Sequence, residues 1–152
     1  MKNKSSSVMA QLSNGELGFM ITGVRNAIWS SIERELQPLD ITAAQFVVFN
    51  SIAKGRGTTI GDLCRVLGYD SGAMTRLLDR IEKKDLLRRV ANPNDRRSYL
   101  IELTEQSAAV VPQAQRLVQG VFGELLEGFD EQEAAALKAS LEKILENAAR
   151  TT

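Results

Sequence analysis

Residues Thr59–Leu103 read TIGDLCRVLGYDSGAMTRLLDRIEKKDLLRRVANPNDRRSYLIEL. Apolar residues fall at helical spacing twice, first at Ile60, Leu63, Cys64 and Leu67, then at Ala73, Met74, Leu77, Leu78 and Ile81. Gly68-Tyr69-Asp70 separates the two runs. Thr59 stands where an N-cap belongs, with Asp62 at the N3 position, and Asp70 caps a second helix from Ser71 to about Lys84. Gly61 weakens the first helix by up to ~1 kcal/mol relative to Ala, so packing must hold it. Leu86–Ala91 and Ser98–Leu103 then read as two strands, joined by turn residues around Asn92-Pro93-Asn94.

The second helix has two unlike faces. Its apolar stripe leaves Ser71, Gly72, Thr75, Arg76, Asp79, Arg80 and Lys83 pointing away. Small residues at its start permit close approach to a surface, and arginines follow. That order suits a helix whose first turns enter the DNA major groove, with Thr75, Arg76 and Arg80 reaching bases or phosphates. Asp95 and Arg97 are two apart, so in extended backbone they share one face, and the carboxylate can aim the guanidinium. An arginine held out at a hairpin tip suits the narrow, electronegative minor groove. Arg96 points elsewhere and reads as a phosphate contact.

Charge agrees with that reading once it is located. The 152-residue chain is formally neutral, with 19 basic and 19 acidic side chains. Residues 54–102 hold eleven basic and seven acidic groups, whereas residues 103–152 hold four and eight. The field at a surface follows the local excess, here net +4, and not the total. There is no histidine and one cysteine, Cys64, so no imidazole or thiolate metal cage is expected and no cofactor. No catalytic constellation is visible, and an enzyme is not expected. Cys64 lies on an apolar stripe and reads as a small core residue.

Outward from this stretch the chain is helical. Leu17, Met20, Ile21, Val24, Ile28, Ile32 and Leu36 mark one face of a helix from about Glu16 to Leu36, widened by Trp29. Ile41-Thr42-Ala43-Ala44-Gln45-Phe46 carries a capping-box and staple pattern, and the helix it opens is apolar on most sides. Thr104 and Glu105 start a long helix containing Pro112, and Asp130 with Glu133 caps a last one ending near Ala149. Residues 1–14 read as a disordered tail without the apolar core of a secretory signal, and no run is long enough to span a membrane. The expectation is a cytoplasmic protein.

The run LGYDSGAMTRLLDRIEKKDLLRRVANPNDRRSYLIELT resembles the winged helix-turn-helix of the MarR transcriptional regulators. The resemblance extends over about residues 16–148. Its specificity lies in a wing D-x-R set about 20 residues after a TRxLDRxE-like helix. It implies a mainly α fold with a small β-wing. The winged helix-turn-helix core would cover about residues 40–103, within a single domain over 15–152. Long dimerisation helices would cover about 16–36 and 104–149.

The resemblance further implies a homodimeric, ligand-responsive repressor on a pseudo-palindromic DNA operator. Ser71, Gly72, Thr75, Arg76 and Arg80 would face the major groove, and Asp95, Arg96 and Arg97 would form the minor-groove wing. A small anionic or phenolic effector would bind between the dimerisation helices and the core, where Arg25, Trp29 and Arg89 are the candidate residues. Members often carry Gly after the recognition helix. This chain has Asp85, which tolerates the left-handed conformation better than most residues.

Blander roles stand beside these. Arg76 and Arg80 could be a solvated face paired to Asp79, Asp95 could simply cap a turn, and Trp29 could be core. The competing function is a winged-helix protein–protein interaction adaptor without sequence-specific DNA binding. Salt-sensitive binding to duplex DNA separates the two.

Overall fold

The computed structural model describes residues 15–150, so the expected tail over 1–14 lies outside the described residues. Helix α1 spans Glu16–Leu36 and leads through a 3-10 turn, Gln37–Leu39, to α2, Ala43–Ala53. Helices α3, Ile60–Leu67, and α4, Ser71–Glu82, precede strands β1, Leu87–Ala91, and β2, Tyr99–Leu103. Helices α5, Glu105–Leu125, and α6, Glu131–Ala149, complete the chain. The mainly helical architecture with a small antiparallel wing is the one expected. By compactness the chain divides into a unit ending at Val121 and one beginning at Phe122.

In the first unit α2 is the buried centre. Its start is fixed by a capping box: the Thr42 hydroxyl accepts the Gln45 N–H at 3.2 Å, and the Gln45 side chain accepts the Thr42 N–H at 3.1 Å. Glu33 of α1 accepts the next free amide, from Ala43. The helix then buries Phe46, Val48 and Phe49, each worth roughly 1.5–3 kcal/mol of transfer free energy for its side chain. Its few polar groups are satisfied: the buried Ser51 hydroxyl donates to the Val47 carbonyl, and Asn50 accepts from Gln115 of α5. Ser107, Val111, Ala114, Val118 and Val121 of α5 are buried, and Pro112 is placed inside the helix on an exposed position.

Only the end of α1 joins this core. Ile32 and Leu36 are buried and Ile28 and Trp29 pack partly against them, whereas Leu17, Met20, Ile21 and Val24 stay exposed on the same stripe. In the second unit Asp130 and Glu133 form another capping box for α6. None of the α6 residues is buried, and Leu137, Leu141, Ile144 and Leu145 are between 40% and 69% exposed. Two amphipathic helices thus carry apolar stripes that their own units leave open.

The wing is tied at its base. β1 pairs antiparallel with β2 from Leu87 opposite Leu103 to Ala91 opposite Tyr99. β2 also reaches the stretch before α3: the Ile101 N–H donates to the Thr58 carbonyl at 2.7 Å, and Thr59 bridges Leu100. Asp85 takes the left-handed turn after α4 at φ 56°, a conformation Asp tolerates better than most residues. The Thr104 hydroxyl donates to the Asp85 carbonyl at 2.6 Å, so the residues that enter and leave the wing are clasped together.

Candidate nucleic-acid interface

Capping fixes where each reading element begins. The Thr59 hydroxyl accepts the Asp62 N–H at 3.2 Å, and the Asp62 carboxylate accepts the Thr59 hydroxyl at 2.7 Å. That hydroxyl bond, with Arg65 beside it, holds the Asp62 carboxyl below its ordinary range against the opposing pull of desolvation. Gly57 is buried just upstream because the backbone passes tightly over this box, and a Cβ there would lie 2.8 Å from that of Asp62. Gly68 ends α3 at φ 66°, and Asp70 accepts the Ala73 N–H at 2.8 Å to start α4.

The stripe Met74, Leu77, Leu78 and Ile81 is buried, which turns Ser71, Gly72, Thr75, Arg76 and Arg80 outward as a continuous exposed face. The Thr75 hydroxyl donates to the Ser71 carbonyl at 2.8 Å, which leaves its methyl and lone pairs outward. Arg76 folds back along the helix: a Cβ on Gly72 would sit 3.5 Å from its guanidinium. Asp79, the acid that could have neutralised these arginines, is taken by Arg89 of β1 at 2.7 Å. Among the described residues no ion pair involves Arg76, Arg80, Arg96 or Arg97. Four arginines of the middle segment thus stand on the α4 face and the wing tip without an ion-pair partner among the described residues.

The wing tip corrects one expectation. Pro93-Asn94 and Arg96-Arg97 form turns and the strand resumes only at Tyr99, so Asp95 and Arg97 do not share a strand face. Asp95 instead accepts the backbone N–H of Arg97 at 3.0 Å, and no ion pair joins their side chains. An aspartate commonly bonds the backbone two residues on, and here that local turn outcompetes the side-chain pair. Asp95 therefore shapes the tip, while Arg96 and Arg97 are both exposed there.

The three residues expected around an effector do not act together. Arg25 lies over the Trp29 ring, 4.9 Å from its centroid, on α1. Arg89 is occupied by two α4 carboxylates, Asp79 and Glu82, with a fifth of its side chain exposed. Periodicity along α4 had no means of showing that Asp79 and Glu82 face the wing; only the hairpin's placement reveals it.

Comparison with known proteins agrees with this geometry. The sequence pattern of the MarR family matches residues 39–98. The chain is 41% identical over 130 residues to the multiple antibiotic resistance protein MarR of Escherichia coli (strain K12), covering 85% of this chain and 90% of that one. The chain belongs to the MarR family. Among solved MarR structures, a cysteine-to-serine variant from E. coli complexed with operator DNA is similar at TM-score 0.77, with 41% identity over 85% of this chain and 93% of that chain. The multiple antibiotic resistance repressor MarR is similar at TM-score 0.70, again with 41% identity, over 85% of this chain and 94% of that one. The winged-helix architecture is thus shared with proteins of known fold, and among the described residues no helix is long and apolar enough to cross a membrane.

Proposed function

We propose that this chain is a sequence-specific DNA-binding transcriptional repressor that acts as a homodimer in the cytoplasm, and not an enzyme. The observation that carries the reading is the set of arginines free of ion pairs on two adjacent elements, Arg76 and Arg80 on α4 and Arg96 and Arg97 on the wing. Ser71, Gly72, Thr75, Arg76 and Arg80 read the major groove, and Arg97 reaches the adjacent minor groove from a tip shaped by Asp95, with Arg96 on phosphate. The relative bound to operator DNA supports this over the adaptor reading, in which the same basic face would meet an acidic protein partner.

The exposed stripes of α1 and α6 support pairing of two chains, and a twofold would set two α4 helices about one DNA turn, ~34 Å, apart on a pseudo-palindromic site. A small anionic or phenolic effector remains part of the proposal through Arg25 and Trp29, since Arg89 is already bound to acids.

The decisive experiment is fluorescence anisotropy with duplexes the protein selects from a random-sequence pool. Specific binding should fall steeply with log salt, and Arg97→Ala should weaken it by ~1–3 kcal/mol with the dimer intact. Equal affinity for selected and unselected duplexes at every salt concentration would leave no sequence-specific regulator to propose.

A further inference from the structure

Among the described residues two that are not glycine take a positive φ, Asp40 at 52° and Asp85 at 56°. They are far apart in the chain and meet through Lys84. The Lys84 ammonium donates to the Asp40 carbonyl and, at 2.7 Å, to the Asp40 carboxylate. The left-handed turn of Asp40 closes the 3-10 turn after α1 and presents both oxygens to one cation. Asp85, the next residue after the lysine, accepts the Thr104 hydroxyl on its carbonyl at the threshold of α5. Sparsely populated backbone states held by contacts with distant segments mark places where the surrounding structure fixes position.

The end of α4 is thus gripped from two sides, by the corner that joins α1 to α2 and by the residue that opens α5. Over the rest of its length α4 rests on its apolar stripe, a contact about which a helix can still rock. On one flank that packing is incomplete. A cleft of about 440 Å³ lies between Thr42, Ala44 and Gln45 of the α2 start and Leu77, Arg80 and Lys83 of α4. Among the residues lining it Lys84 alone forms an ion pair, with Asp40. The Lys84 side chain is 33% exposed and that of Asp40 is 90% exposed, so the lysine is held and the acid stands in solvent.

We infer that Lys84 is a positioning residue that fixes how far apart two copies of α4 stand on DNA, and so which half-site spacing the protein accepts. The inference rests on the dimeric DNA-binding reading above and deepens it. In a twofold pair, the separation of the reading helices is set at every joint between the pairing helices and α4. Helix α1 carries an exposed apolar stripe, and α5 runs on toward α6, which carries another. These two helices reach the end of α4 at Asp40–Lys84 and at Thr104–Asp85. Opening the ionic joint leaves α4 tied by the Thr104 clasp alone, one point about which it turns. Moving a half-site by one base pair shifts it ~3.4 Å and rotates it by about a tenth of a turn, so a head that rocks tolerates the change and a fixed one does not. A pair with so exposed an acid adds little to folding stability, which separates the positioning role from a structural one.

The test is anisotropy titration against a set of duplexes that carry the selected half-sites at the selected spacing and with one base pair inserted or removed. The wild type should favour the selected spacing. In Lys84→Ala the ratio of affinities between the selected and altered spacings should fall at least ~3-fold. Asp40→Asn, which keeps a residue tolerant of positive φ and removes only the charge, should lower the ratio in the same direction, and the double variant should go no further than Lys84→Ala. Thermal unfolding and the dimer mass should match the wild type in all three. An unchanged ratio in Lys84→Ala, or affinity lost equally at every spacing, overturns the positioning role, the second because it marks a direct contact or a damaged helix. A wild type that binds its duplexes without regard to spacing overturns it as well and leaves the DNA reading standing. A wild type that retains no duplex overturns the DNA reading and the positioning role with it.

Discussion

The guanidinium of Arg89 on β1 lies 2.7 Å from the carboxylate of Asp79 on α4 and bonds Glu82 as well, so the wing is bolted to the helix beside it. Arg88 on the same strand reaches across the hairpin to Glu102 at 2.9 Å. Arg89→Ala should therefore loosen the wing. Half-exposed carboxylates limit the loss of stability to about 1 kcal/mol, but amide exchange in β1 and β2 should rise well above that in α2. Arg97→Ala should then matter less for DNA binding in the Arg89→Ala background than in the wild type. Equal penalties in both backgrounds would show that the bolt does not position the tip.

Gly57 and Gly61, four residues apart, should respond to alanine with opposite signs. Gly61 is exposed within α3 and its added Cβ would meet nothing nearer than the Thr59 hydroxyl at 3.9 Å, so Gly61→Ala should raise stability by up to ~1 kcal/mol. Gly57 is buried with Asp62 in the way, so Gly57→Ala should lower it by about 1–3 kcal/mol. Urea midpoints of the two variants that moved in the same direction would contradict this account of the α3 cap.

Acid should act on the same cap. The Asp62 carboxyl is held below its ordinary range in the folded chain, chiefly by the Thr59 hydroxyl, so the unfolded chain protonates first. The stabilisation is complete above about pH 4 and is lost as pH falls through the lower folded value. Thr59→Ala should cost about 1 kcal/mol at neutral pH, and its deficit relative to the wild type should shrink below about pH 4. Denaturant titrations at pH 7 and pH 3 giving the same deficit would exclude this origin.

The open stripe of α6 supplies a test of assembly. Leu141 and Ile144 are each more than 40% exposed, and a chain that pairs with a copy of itself would cover them. Leu141→Glu should move the mass seen in sedimentation equilibrium from twice the chain toward once and weaken DNA binding with it. A wild type that sediments as a monomer at micromolar concentration would remove the homodimer from the proposal.

Much of this was readable from residues alone, because the deciding signals were local. Thr42 with Gln45, Thr59 with Asp62, Asp70, and Asp130 with Glu133 each place a helix start by chemistry within one turn. The left-handed turn at Asp85 was foreseeable for the same reason. What was not legible depended on partners distant in the chain. The pairing of Arg89 with Asp79 joins separate elements, and it changed the meaning of three residues at once: Arg89 leaves the effector reading, while Asp79 is no longer available to Arg76 and Arg80. At the wing tip the error was about backbone shape. Extended geometry put Asp95 beside the Arg97 guanidinium, whereas the turn gave it the nearer amide.

The clasp between Asp85 and Thr104, with Ile101 held on Thr58, closes the hairpin at its root before the tip begins. Residues 92–98 are thereby an interchangeable cassette. Tips of other lengths and charges can be grafted between Ala91 and Tyr99, and a library varied there alone would retune which DNA sequences flank the site while the rest of the molecule is left as it is.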